Sequence, residues 1–137
     1  MAAHNWVVRK IAAYHVIAGD MVCADHYRGF PKPPTFFGPR GAGYIPDIWV
    51  ENKRLAYEVE PFEAAKHSLP QLKAFAKDPS IEKFIVVLCT GTNRGVERRA
   101  KTLTSRGLLD GLKGEIELWN WRDLFDQLGI ERPASKA

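Results

Sequence analysis

The residues best suited to chemistry lie in the run Ile45-Pro46-Asp47-Ile48-Trp49-Val50-Glu51-Asn52-Lys53-Arg54-Leu55-Ala56-Tyr57-Glu58-Val59-Glu60. Two apolar segments are joined there by the polar turn Asn52-Lys53-Arg54, with acids at Asp47, Glu58 and Glu60. Side chains alternate faces along a strand, so Glu58 and Glu60 share one face of the second segment while Tyr57 and Val59 point the other way. Asp47 joins them if the hairpin takes the right register. Carboxylates converging on a sheet surface repel one another and resist joint ionisation unless a cation intervenes, and hard oxygen ligands suit Mg²⁺ or Mn²⁺. Metal-assisted phosphodiester hydrolysis is the chemistry that follows. The plainer alternative is that Asp47 caps a turn while Glu58 and Glu60 form the polar face of an exposed hairpin.

Holding three acids together requires a layered scaffold, and the chain predicts one. With 137 residues, 45% hydrophobic and 26% charged, it has the size and composition of one globular domain spanning residues 1–137. Val7, Val8, Ile11, Ala12, Tyr14, His15 and Ile17 recur near helical spacing, predicting a helix from Asn5, as N-cap, to about Ala18, stopped by Gly19. Met21 to about Tyr27 reads as a short strand. Arg28 to Gly43 holds four prolines and four glycines, so a long loop or irregular hairpin is expected. Tyr44 to Glu51 and Leu55 to Glu60 are the next strands. A helix follows from Glu63 to about Lys77, kinked or started late by Pro70, with Ala64, Leu69, Leu72, Phe75 and Ala76 on its apolar face. Phe84-Ile85-Val86-Val87-Leu88-Cys89 is an uninterrupted apolar run, expected as a strand covered on both faces. Asn93 to about Arg106 reads as a helix, Glu115 to Asn120 as a strand, Trp121 to Leu128 as a last helix ended by Gly129, and residues 129–137 as a frayed tail. Trp119, Trp121 and Phe125 are expected to close the core.

Several classes are disfavoured. No run approaches the roughly 18 apolar residues of a membrane span, and no secretion signal is apparent at the N-terminus, so a cytoplasmic location is expected. Cys23 and Cys89 lie in apolar segments without ligand spacing, which predicts free thiols rather than a disulfide or zinc site. A glycine-rich phosphate cradle, as a small phosphate-ester enzyme would use, is not found. The net charge of +4 favours polyanionic partners.

The order helix, three strands, helix, strand, helix, strand, helix, with Pro46-Asp47 opening one strand and Glu58-Val59-Glu60 on the next, resembles the PD-(D/E)xK nuclease superfamily. The likeness covers most of the chain, and the ten residues between Asp47 and Glu58 match the motif's spacing. It implies an α/β restriction endonuclease-like core: a central mixed sheet flanked by helices in the order αβββαβαβα. It also implies a Mg²⁺- or Mn²⁺-dependent endonuclease acting on DNA as duplex, junction or flap, working as a homodimer so that two sites cut two strands. Asp47 and Glu58 would be the metal-binding acids and the Val59 carbonyl a further ligand. Glu60 stands where the superfamily usually has lysine, a Glu-x-Glu form that some active restriction enzymes share, and would be a ligand or water-orienting base. The glutamate many members carry on the first helix is absent, leaving His4 and Asn5 as stand-ins. Lys66 and Lys73, seven apart on one helical face, are candidates for the missing ammonium.

Contacts to DNA are expected from two places. The loop from Arg28 to Gly43 interleaves Arg28, Lys32 and Arg40 with Phe30, Phe36 and Phe37, a mixture suited to phosphate contact and base stacking, although such phenylalanines also fold back as a lid. Arg94, Arg98 and Lys101 align at helical spacing and are candidates to grip a backbone. The alternative function is a nuclease-like domain without catalysis that binds nucleic acid or a protein partner.

Overall fold

The computed structural model describes residues 2–25, 27–38, 41–90 and 116–132; the side chains of residues 2, 65–67, 70 and 73 fall outside that description. A helix, α1 (Ala2–Ile17), leads into strand β1 (Val22–Ala24), a short ribbon of β2 (Phe36–Phe37) and β3 (Gly43–Tyr44), and strand β4 (Ile48–Val50). One 3₁₀ turn (Glu51–Lys53) connects β4 to β5 (Leu55–Glu60), and another (Phe62–Ala64) opens helix α2 (Ala65–Ala76). Strands β6 (Lys83–Leu88) and β7 (Ile116–Asn120) and helix α3 (Trp121–Leu128) complete the described elements. The main sheet has five strands in the order β1-β4-β5-β6-β7. The pairs β1–β4 and β4–β5 are antiparallel, whereas β5–β6 and β6–β7 are parallel, so the sheet is mixed. No described helix is long and apolar enough to cross a membrane.

Alternation along β5 sets the layers. Leu55, Tyr57 and Val59 enter a cluster with Val7, Val8 and Ile11 of α1 and Leu124 and Phe125 of α3. Ala56 enters the opposite cluster with Leu69, Leu72 and Ala76 of α2, which puts Glu58 and Glu60 on the α2 face. Phe84 to Cys89 are all buried, as a strand with helices on both faces must be. On the first face Trp6 meets Trp121 edge-on at 5.5 Å, and Phe125 is fully buried; Trp119 and Trp121 pack partly buried around it. Both cysteines are free.

The polar C-terminal end of α1 is tied into the same layer. His15, 2% exposed, has Nδ1 2.7 Å from Asp20 Oδ2 and Nε2 2.8 Å from the Tyr57 hydroxyl. A carboxylate only accepts, so Nδ1 donates to Asp20 and Nε2 accepts from Tyr57. Asn52 Nδ2 donates to Asp20 Oδ1 at 3.0 Å, and Lys53 Nζ lies 3.5 Å from Oδ2. These donors hold the Asp20 carboxyl down to about 2, the Asn52 bond contributing most, while burial lowers the pKa of His15.

Local structure departs from the sequence expectation at three places. Helix α1 begins at Ala2, so Asn5 lies in its first turn rather than capping it. The expected strand from Tyr44 to Glu51 is split: Tyr44 belongs to the ribbon, the three pairing residues are Ile48–Val50, and Glu51 opens the 3₁₀ turn. Proline at 46 lacks the N–H that a ladder needs, which separates the two pieces. The Pro/Gly-rich segment takes the hairpin that was one of its two expected forms, with Phe36 opposite Tyr44 and Phe37 opposite Gly43. Pro70 lies inside α2 without ending it. The expected helix from Asn93 to Arg106 lies outside the described residues.

Candidate active site

Asp47 sits where β4 stops following β5. The last pair in the ladder is Ile48 with Tyr57, so the Val59 N–H, two residues on and facing the same edge, has lost its strand partner. Asp47 replaces that partner: its Oδ2 accepts from the Val59 N–H at 2.8 Å. The Asp47 carbonyl accepts from the Asp25 N–H at 3.0 Å, fixing the residue to the end of β1 as well. A residue's N–H and C=O face the same strand edge, so the Val59 carbonyl opens into this gap beside the carboxylate.

Glu58 and Asp47 meet there. Burial, then the charge of Asp47, its direct contact and the charge of Glu60 push the Glu58 carboxyl up to about 9. One group opposes this: the Tyr44 hydroxyl donates to Glu58 Oε1 at 2.9 Å. Tyr44 is held by ring contacts with Phe75 at 4.9 Å and Phe84 at 5.9 Å, so the ribbon delivers its hydroxyl as a fixed donor. Phe36, across the ribbon from Tyr44, is buried against Trp49 at 5.0 Å.

Glu60 takes a different environment. Only 7% exposed, its carboxylate receives Ser68 Oγ of α2 at 2.5 Å from each oxygen. Burial raises its pKa, the Ser68 bond lowers it, and the charge of Asp47 raises it further. The third side of the site is α1, where His4 Nε2 lies 3.4 Å from Asp47 Oδ2. That bond raises the His4 pKa against partial burial. His4 Nδ1 is 3.1 Å from Asn5 Oδ1, which also accepts from the Tyr27 hydroxyl at 3.0 Å.

The acids named from sequence therefore share one electrostatic site, with Asp47 and Glu58 acting on each other and Glu60 turned to Ser68. Among the described residues, no three His, Cys, Asp or Glu side chains converge tightly enough to enclose an ion as they stand. Glu51 is elsewhere, accepting from the Trp49 indole N–H. Arg28 and Lys32 are exposed. Lys66 and Lys73 lie on α2, their side chains outside the described residues, as are Arg40, Arg94, Arg98 and Lys101. Two site residues escaped the sequence reading, Tyr44 and Ser68. Ser68 had a signal, since it shares the 68, 72, 76 stripe with the inward-facing Leu72 and Ala76. Tyr44 had none beyond its place three residues before Asp47. A larger apolar groove of about 460 Å³ between α1 and the end of α3 is lined by none of the three acids. Comparison with protein-family models, with curated proteins and with solved structures finds no match to this chain.

Proposed function

We propose that this chain is a divalent-cation-dependent DNA endonuclease with a restriction endonuclease-like core, its site a Glu-x-Glu variant of PD-(D/E)xK. The observation that carries the reading is the placement of Asp47 on the Val59 N–H, the residue next to Glu58, at the end of β4; burial and the charge of Asp47 push the Glu58 carboxyl up to about 9. A hard cation relieves that repulsion, so the donor set fits Mg²⁺ or Mn²⁺, with Asp47, Glu58 and the Val59 carbonyl as ligands. When bound, such an ion supplies an activated water and neutralises charge on the phosphate and leaving oxygen. Tyr44 orients Glu58, the Val59 N–H fixes Asp47, and Ser68 keeps Glu60 aimed from the neighbouring position as an orienting group for water. Arg28 and Lys32 would meet the phosphate backbone. Lys66 and Lys73 stay candidates for the ammonium that Glu60 displaces, and two copies of the chain would serve the two strands of a duplex or junction. The test is incubation with Mg²⁺ or Mn²⁺ and supercoiled, linear, flap and four-way-junction DNA. Cleavage that Asp47→Ala and Glu58→Gln reduce by at least about a hundredfold is expected; no cleavage of any substrate overturns the reading.

One observation favours a second reading, a nuclease-like domain that binds nucleic acid without cutting it. Both oxygens of Glu60 are engaged by Ser68, which leaves that carboxylate committed to holding α2 on the sheet. On this reading DNA binding is insensitive to divalent cations and to Glu58→Gln.

A further inference from the structure

Beside Asp47 lies a second feature, an open pocket of about 360 Å³ lined by Ala24, Asp25, Tyr27, Arg28, Phe30 and Lys32. Two independent contact paths join it to the acid site. Through the backbone, Asp25 donates its N–H to the Asp47 carbonyl at 3.0 Å. Through side chains, the Tyr27 hydroxyl donates to Asn5, Asn5 meets His4, and His4 reaches the Asp47 carboxylate. The loop forming the pocket's outer wall is pinned as well, since Ala24 N–H donates to the Pro31 carbonyl at 3.0 Å. Its aromatic walls are supported from behind: Tyr27 and Phe30 are partly buried and pack on the α1-side cluster. Arg28 and Lys32 are exposed at its rim.

The volume is at the small end of the roughly 300–1,000 Å³ typical of small-ligand sites, room for about one nucleotide. Aromatic faces beside cations are the pattern by which proteins hold unpaired nucleotides, the rings taking the base and the cations its phosphate. A paired base is stacked on both sides and cannot offer its face to such a wall. We propose that this pocket binds one unpaired nucleotide of the strand being cut, adjoining the scissile phosphate, so that the preferred substrate is DNA with an unpaired stretch at the cut, such as a flap or frayed end. The proposal rests on the nuclease reading for its location but not for its binding chemistry. Tyr27 and Phe30 form the base platform, and Arg28 and Lys32 fix the adjoining phosphate.

The test is fluorescence anisotropy with a labelled single-stranded oligonucleotide and a blunt hairpin of matched sequence closed by a non-nucleotide linker, so that it has no unpaired base, in EDTA so that nothing is cut. The parent is expected to bind the single strand more tightly. Phe30→Leu, which keeps apolar bulk but loses the ring, and the double variant Arg28→Ala/Lys32→Ala are expected to weaken single-strand binding by about tenfold. For Phe30→Leu the hairpin affinity should stay within about twofold, and thermal unfolding confirms that the variant is folded. An unchanged single-strand to hairpin ratio in folded Phe30→Leu overturns the pocket. If the parent cuts DNA yet the pocket variants keep its substrate preference, the pocket is wrong and the nuclease stands. If nothing is cut but single-strand binding collapses in these variants, the nuclease reading falls and the pocket stands.

Discussion

Glu58 is the residue whose environment says most about the site. Its folded pKa of about 9 lies above the ordinary 4.5, so the fold prefers the neutral acid. The resulting stabilisation is fully present below pH 4.5 and is lost as pH rises towards 9. Glu58→Gln keeps the shape and an oxygen for the Tyr44 hydroxyl while removing the ionisation. Without divalent cations at pH 8 it is therefore expected to raise the melting temperature by about 3–6 °C over the parent, read by calorimetry. A melting temperature below the parent's would mean that the carboxylate is already neutralised by a fixed partner. Burial raises the pKa of Glu60 as well, and there the Ser68 hydroxyl is the group that favours the charged form. Ser68→Ala leaves a buried carboxylate without its hydroxyl and is expected to cost about 1–3 kcal/mol in chemical denaturation, with Ser68→Thr recovering part of it. The two glutamates were legible in sequence as neighbours on one face. Their different surroundings were not, because each is set by a residue from a distant element, Tyr44 for one and Ser68 for the other.

At the scale of elements, the β2–β3 ribbon connects the Pro/Gly-rich segment to the site. Composition there correctly forbade long regular structure, yet Phe36 and Tyr44 each find a ring to pack on, which is enough to order a hairpin only two residues deep. The ribbon's chemical contribution is a single hydroxyl, and its loss can be isolated. Tyr44→Phe retains the contacts with Phe75 and Phe84 but removes the donor that lowers the Glu58 pKa. The pH profile of Mn²⁺ binding, followed by calorimetric titration, is then expected to move to higher pH, with the melting temperature changed by less than about 3 °C. A profile that stays in place would show that the hydroxyl does not act on Glu58. The main strands and α2 were readable because their periodicities are long and unbroken; Phe84 to Cys89 had no other reading. The proline was a local signal for the break at 46, but the roles of Asn5 and Asp47 were not readable, since they depend on tertiary partners, Tyr27 for Asn5 and the Val59 N–H for Asp47.

For the whole molecule, the two faces of β5 separate two kinds of polar group. One face carries the acid site, and the other carries the series Tyr57, His15, Asp20 and Asn52, buried at Tyr57 and His15 and open at Asn52. Asp20 is depressed to about 2 from 3.8, so its stabilisation is present above pH 3.8 and is lost as pH falls towards 2. His15 is lowered below 6.5; the unfolded chain takes up that proton first, so stability also declines as pH falls below 6.5. Because Glu58 contributes the opposite trend above pH 4.5, the test is a difference: the excess of the parent's urea midpoint over that of Asp20→Asn is expected to shrink as pH falls from 3.8 towards 2. An excess that does not change over that window would mean that Asp20 is not held ionised by these donors. Fold class and the identities of the acids were thus available from sequence, whereas the division of polar groups between faces needed the register. The same register gives Asp47 a second occupation. As the acceptor that completes the last rung beside β5, an oxygen at position 47 serves the fold whether or not the site cleaves anything. An aspartate there is consequently poor testimony of activity among future relatives. Glu58, whose ionised form burial disfavours and whose charge completes no rung, is the position that would report on the proposed cleavage instead.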